Sequence, residues 1–353
     1  MLRGFSAPVV LEFDYSDAQL LHLLAHDSDP FNRWEAGQRL ALRCAIHSIN
    51  SQADGVPAEV LSPACVDAMR GILRHPALDA AFKELVLTLP SETYIAEQLE
   101  VVDPQHVHRV REAMRLQLAT ALTGDWQWAY DAHQDSGAYR PDPVSTGRRA
   151  LTGMALAMLC LAAVQAQGTG PGQDVWPDKT YQRFKSAGNM TDRFNALAAL
   201  VSCGQELAGE ALARFHAMFK DDALVLDKWF ALQAGASDRG GNILPLVRQL
   251  LKHRDFNLRN PNRARSVLFS YCSANPGAFH RPDAAGYVFW SERVIEIDAF
   301  NPQVAARLAR ALDRWSRLAE PYRSAAREAI MRVAAKTDLS NDVREVVSRA
   351  LAI

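Results

Sequence analysis

Apolar residues recur every three to four positions along nearly the whole chain after residue 16, the spacing of amphipathic helices. The stretch "SDAQLLHLLAHD" places Leu20, Leu21, Leu24 and Ala25 on one face. In "DPFNRWEAGQRLALRCAIHSI", Asp29 reads as a cap and Pro30 as the first helical residue. Phe31, Trp34, Ala41, Leu42, Ala45 and Ile49 then form one stripe at about 100° per residue. "DPQHVHRVREAMRLQLATAL" opens the same way on Asp103 and Pro104. The first residues differ. "SAPVVLEFDY" carries β-branched and aromatic residues after Pro8 and reads as a strand. A lone strand needs a neighbour for its backbone and apolar face, so the chain begins either with a piece of something else or with an edge strand pinned on helices.

Breakers interrupt the helical pattern at Gly55 and Pro57, Pro63, Pro76, Pro90, Gly124, the run 137–147, and "GTGPGQDVWP" at 168–177, a predicted loop. A loose repeat runs through the chain. A capping residue opens a helix, an arginine follows, then an apolar run, at Asp29–Arg33, Asn189–Arg193, Asn260–Arg263, Asn301–Arg307 and Asn341–Arg344. The spacing is too irregular for a strict tandem array. The pattern predicts an all-α fold: a superhelical array of helical hairpins of the armadillo or HEAT kind over residues 15–353. No glycine-rich βαβ unit interrupts it.

Composition narrows the partners. Hydrophobic residues make up 48% of the 353, enough for a sizeable core, and the formal net charge is −1. That balance argues against the global field that nucleic acid or an anionic membrane would need. Five scattered cysteines, with no C-x-x-C, read as reduced and buried in a cytoplasmic protein. The opening "MLRGFSAPVVLEF" lacks the apolar run of a signal peptide. The most apolar stretch, 150–166, is short of the roughly 20 residues that span a bilayer and reads as a buried helix.

Candidate chemistry is thin. His22 and His26 in "HLLAH" share a helix face as a zinc pair would, but Leu23 stands where H-E-x-x-H needs its glutamate. His106 and His108 point to different faces of their helix. Trp126, Trp128 and Tyr130 wrap around a helix, as in an element packed on two sides. No G-x-S-x-G, phosphate-binding loop or cysteine paired with a nearby histidine is present, so no catalytic residue and no metal ligand is assigned.

The last third is the most distinctive. It holds three Asn-Pro steps, Asn260-Pro261, Asn275-Pro276 and Asn301-Pro302, each able to end one helix and cap the next. Arg259, Arg263 and Arg265 crowd the start of one of these helices, Arg307 enters another, and His280 lies between. Cations are misplaced at a helix N-terminus, whose dipole is positive. Two readings stay open: the arginines converge on an anion, a carboxylate or phosphate, or they tie loop carbonyls and neighbouring acids together.

At these residues the chain resembles a known family. "NPNRARS", "SANPGAFH", "GYVF" and "NPQVAARL", with "VLDKWFALQA", "NMTDRFNALAAL", "FNRWEAGQRL" and "LTLPSE" in the same order, resemble the C-terminal helical domain of bacterial aminopeptidase N. This is the zinc-dependent alanyl aminopeptidase family of the gluzincin clan. "LRGFSAPVVLEF" resembles the last strand of the small β-sandwich that precedes this domain, which would make residues 1–14 a remnant of it. The family's H-E-x-x-H and G-A-M-E-N are absent, so the resemblance implies a piece that does not catalyse alone, without a cofactor of its own, in a parent that carries zinc. It implies that the chain closes over the catalytic domain of the same polypeptide and contacts the downstream part of a peptide. Arg265 and Arg307 would face that cavity and meet the peptide's C-terminal carboxylate. The alternative is an independent helical scaffold that binds a protein partner on a concave face. Neither reading involves nucleic acid or a membrane.

Overall fold

The computed structural model describes residues 13–51, 55–57, 59–135, 137–166, 175–204 and 206–352. Among these residues all regular structure is helical, and the chain divides into two compact units. The expected N-terminal strand falls on residues outside the described ones, apart from Phe13 and Asp14, which have no regular structure.

One unit comprises residues up to Ile95 and Arg109–Ala211. It contains α1 (Asp17–His26), α2 (Pro30–Asn50), α3 (Pro63–Arg74), α4 (Ala80–Leu87), most of α5 (Glu92–Glu97) and of α6 (Pro104–Ala121), α7 (Thr123–Ala132), α8 (Pro143–Ala166), α9 (Val175–Ser186), α10 (Met190–Ser202) and the start of α11 (Leu207–Phe219). Neighbouring helices pack pairwise: α1 on α2, α7 and α4 on α8, α9 and α8 on α10. Caps fix the boundaries. Ser16 and Gln19 make a reciprocal capping box on α1. Asp29 accepts from the amides of Phe31 and Asn32, and Pro30 occupies N1.

The predicted stripe on α2 is rotated. Phe31 is exposed and rests on Trp34, and the buried face is Asn32, Arg33, Ala36, Gly37, Leu40, Ala41, Ala45 and Ser48. Small residues are the reason: a Cβ on Gly37 would already touch Leu24 and Val86, so α1 and α4 approach where side chains are short. Large apolar residues counted from the sequence mark the wrong edge of that face. The break expected at Gly124 falls two residues earlier, at Leu122 between α6 and α7. The break expected over 137–147 ends early because Asp142 caps α8 through the Ser145 amide (3.0 Å). Of the loop expected over 168–177, residues 168–174 lie outside the described ones, and Val175–Pro177 open α9.

Helix α8 has the length and apolarity to cross a membrane, with a mean hydropathy of 1.5 over its most apolar window. In this fold it is a core helix. Leu151, Ala155, Leu156, Leu159 and Cys160 are buried against α4, α7 and α10, and near its start buried Arg149 pairs with Asp135 at 2.7 Å.

The second unit comprises Ala96–His108 and Leu212–Ile353. It contains the rest of α5, α6 and α11, then α12 (Ala223–Ala234), α13 (Ile243–Leu250), α14 (Pro261–Cys272), α15 (Pro276–Phe279), α16 (Ala285–Asp298), α17 (Pro302–Ala309), α18 (Tyr322–Ala334) and α19 (Asn341–Leu351). Helix α12 packs on α14, α16 on α17 and α18, and α17 on α19. Val102 exchanges backbone hydrogen bonds with Arg317 and Ala319 (2.7 and 2.8 Å), which pins the early segment to this unit. Its core holds Phe230, Val267, Leu268, Tyr271, Phe279, Trp290 and Val294. The buried indoles are satisfied by helix carbonyls: Trp290 donates to Leu308 and Trp315 to Ala350 (2.9 and 2.8 Å).

Candidate functional site

The three Asn-Pro corners do different work. Asn260 caps α14 by accepting from the amides of Asn262 and Arg263, with Pro261 at N1. Asn301 caps α17 through the Val304 amide, with Pro302 at N1. Asn275 precedes Pro276 but does not cap α15. Its buried amide donates to the carbonyls of Ala234 (3.2 Å) and Ala236 (2.7 Å), at the end of α12. The expectation of three like corners is corrected there, because the end of α12 offers unsatisfied carbonyls that a side-chain donor can reach.

The crowded arginines separate into two kinds. Arg263 is buried. It pairs with Asp227 through Nε, donates to the carbonyls of Asp255 and Ala223, and lies over Phe230 (5.0 Å to the ring centre). Arg259 lies over Phe300 (4.9 Å), the residue just before Asn301, so the 260 and 301 corners are neighbours. Arg265 and Arg307 are exposed, and neither has an ion pair or hydrogen bond among the described residues. Arg307 lies over the ring of Phe269 (5.7 Å), and Phe269 stands one turn beyond Arg265 on α14. Helices α14 and α17 pack directly. Arg307 is thus stacked on a residue one turn from Arg265, and both arginines keep their donors uncommitted, an arrangement suited to a planar carboxylate.

His280 does not join them. Its imidazole sits between Phe279 and Tyr287, with Nδ1 2.7 Å from the Tyr287 hydroxyl. Burial pushes its pKa down to about 4, so it is neutral at physiological pH. A cavity of about 340 Å³ nearby is lined by Gln105, His108, Asp238 and Arg281 among others. Arg281 is already engaged there by Asp283 (2.7 Å) and the Gly241 carbonyl (3.1 Å).

His22 and His26 lie side by side on α1, ring centres 4.9 Å apart, and both are exposed. Among the described residues no third ligand joins them; the cluster with metal-ligand geometry is His216, His253 and Asp255, which sequence reasoning did not single out. Its only local signal is the H-x-D of residues 253–255, and His216 comes from another helix. Trp128 is covered by Arg74 (4.4 Å) and Trp126 is in the core, so that helix is packed on two sides as expected. The cysteines are all free, and four are buried. Cys44 is half-buried, and a hydrogen bond from Cys65 holds its thiol down at about 6.

A family model described as a domain of unknown function, DUF3458_C, with ARM repeats, matches residues 17–352. Over 350 residues the chain is 36% identical to aminopeptidase N of Caulobacter vibrioides, covering 99% of this chain and 39% of that protein. It is 34% identical to aminopeptidase N of Escherichia coli over 352 residues, covering 100% of this chain and again 39% of the relative. The chain therefore spans about two fifths of the curated relatives it matches. A crystal structure of Legionella pneumophila aminopeptidase A in complex with aspartic acid superposes with a TM-score of 0.83 at 26% identity, covering 99% of this chain and 40% of that one.

Proposed function

From its membership of the DUF3458_C family of ARM-repeat domains, to which the chain belongs, we propose that it is the C-terminal helical part of a zinc-dependent aminopeptidase of the aminopeptidase N type. One observation carries the reading: similarity to these aminopeptidases runs along the whole of this chain but only part of theirs. The chemistry of peptide cleavage then belongs to residues outside it. No histidine here is followed by glutamate, and the exposed His22 and His26 pair has Leu23 at the position of a general base, so these residues do not fit the catalytic zinc. In the cytoplasmic parent, this part acts as a wall of the substrate chamber, without catalysis of its own.

What the chain contributes is binding. Arg265 and Arg307, exposed on the packed helices α14 and α17, take the carboxylate of a peptide whose first residue lies at the catalytic domain. Phe269 keeps Arg307 stacked, and buried Arg263 holds the helix that presents Arg265. A charge-assisted hydrogen bond contributes about 1.5–3 kcal/mol, or roughly 10- to 100-fold in kcat/KM. The test is Arg265→Ala with Arg307→Ala in the whole aminopeptidase, assayed on a tetrapeptide and on an alanyl amide lacking the distal carboxylate. The expected loss is confined to the tetrapeptide; equal losses on both substrates would count against carboxylate binding. The reading as an independent scaffold draws no support from the comparisons.

A further inference from the structure

We propose that His216, His253 and Asp255 form a binding site for one divalent transition-metal ion of the zinc class. His216 lies on the last turn of α11, and His253 and Asp255 lie in the turn between α13 and α14. One ligand atom from each falls within 4.8 Å of the others. His216 Nε2 is 2.7 Å from Asp255 Oδ2, and His253 Nδ1 is 3.7 Å from the same oxygen. In a tetrahedral site with bonds of about 2.0–2.1 Å, ligand atoms stand roughly 3.3 Å apart. The first distance must open by ~0.6 Å and the second close by ~0.4 Å, within the reach of side-chain rotation.

Two imidazoles and a carboxylate are the donor set that zinc and its neighbours prefer over magnesium or calcium. Three protein ligands leave a fourth position for water. The surroundings support a fixed site. Trp229 lies against both imidazoles (5.0 and 5.3 Å) and Phe230 against His253 (5.6 Å), forming an apolar wall. The turn is held by backbone bonds from His253 to Leu250 and from Phe256 to His253, and buried Arg263 donates to the Asp255 carbonyl. Burial and the facing His216 hold His253 below the usual histidine range, and His216 holds Asp255 below the usual carboxylate range. Two groups must yield to the ion. The Asp255 amide donates to His253 Nδ1 at 3.2 Å, and Arg254 stands 3.6 Å from the carboxylate. Arg254 is three-quarters exposed and free to swing away.

The site does not rest on the peptidase reading. Its bound ion would tie α11 to the turn that leads into the Asn260 corner, and so brace the start of α14. Among the described residues Asp255 is the carboxylate that pairs with these histidines, and the neighbouring charges are Arg254 and Arg263, so the role proposed for the ion is to brace the fold.

The experiment is equilibrium dialysis of the untagged chain against micromolar zinc sulfate, followed by metal analysis and repeated with cobalt(II) for its visible spectrum. One tightly held equivalent is expected, with an intense tetrahedral cobalt spectrum. His253→Ala should weaken binding by about 100-fold, and Asp255→Asn, which keeps the shape and leaves folding intact, by at least about tenfold. His22→Ala with His26→Ala should change nothing. Retention of no equivalent, or of one that Asp255→Asn and His253→Ala leave intact, overturns the site. Because the readout is metal content and not activity, its failure is separable from failure of the aminopeptidase assignment.

Discussion

Arg263 and Arg265 stand two residues apart on α14 and should behave as opposites. Arg263 is 6% exposed and donates to the Asp227 carboxylate and to two backbone carbonyls from different segments. Replacing it with alanine leaves Asp227, whose side chain is 17% exposed, without its cation, and leaves the Asp255 carbonyl without its donor. Breaking a buried pair in this way costs about 3–5 kcal/mol. The residual exposure of Asp227 lets water recover part of that, so about 3 kcal/mol is expected, with up to ~1 more for the lost contact over Phe230. At about 2–4 °C per kcal/mol for a unit of this size, Arg263→Ala lowers the melting midpoint by roughly 6–16 °C. Arg265→Ala, with no partner to strand, should stay within about 0.5 kcal/mol. The assay is urea denaturation followed by circular dichroism, with Asp227→Ala and the double variant completing a cycle. The double variant should be less destabilised than the sum of the singles. If Arg263→Ala and Arg265→Ala agree within ~1 kcal/mol, the division into a corner arginine and a substrate arginine is wrong.

Three further outcomes are expected. Because the hydrogen bond from Cys65 holds Cys44 at about 6, iodoacetamide at pH 7 should alkylate Cys44 ahead of buried Cys160 and Cys272, whose thiols burial pushes up; Cys44→Ser should remove the fast phase. His280 is lowered to about 4 by burial, so between its unfolded value near 6.5 and about 4 the unfolded chain takes up a proton that the folded chain refuses. Stability should therefore fall with pH across that window by at most about 1.4 kcal/mol per pH unit, and His280→Gln should flatten the slope in pH-dependent urea melts. Gly286→Ala should cost more than about 2 kcal/mol in the same melts, because its Cβ would stand 2.1 Å from the Phe279 carbonyl oxygen, a backbone atom that cannot turn aside.

The helices and most of their starts were legible because caps act within four residues, and Asp29, Asn189, Asn260 and Asn301 all cap as their sequences imply. What failed was whatever depended on a distant partner. The buried face of α2 is chosen by where Gly37 and the alanines let α1 and α4 approach, which apolar periodicity alone does not weigh. Asn275 looks like a cap locally but serves the end of α12, some forty residues earlier. Cap identity slipped once: Ser340, not Asn341, accepts from the Val343 amide. The pairing of Arg307 with Phe269 and the His216, His253 and Asp255 cluster join residues from separate helices and turns, and spacing carries no trace of them.

The same distinction resolves the cations at helix N-termini. Arg33, Arg193 and Arg344 each follow their cap by four residues. Arg33 donates to the carbonyls of Leu24 and Ala25 at the end of α1, and Arg193 to those of Phe184 and Lys185 at the end of α9. Arg344 reaches Thr337 and Leu339 in the turn before its helix. In a helical hairpin the start of one helix lies beside the end of the one before, whose free carbonyls carry the negative end of its dipole. An arginine at the fourth position is thus unfavourably placed on its own helix and well placed on its predecessor. The repeated cap-then-arginine pattern is a signature of these corners, and Arg263 serves its corner one residue earlier. An arginine that breaks the pattern by reaching no carbonyl is the informative one. Arg259, Arg265 and Arg307 are the exposed arginines at the α14 and α17 corners whose side chains reach no carbonyl; Arg259 is spent on Phe300, which leaves Arg265 and Arg307, close to Phe269, for the substrate.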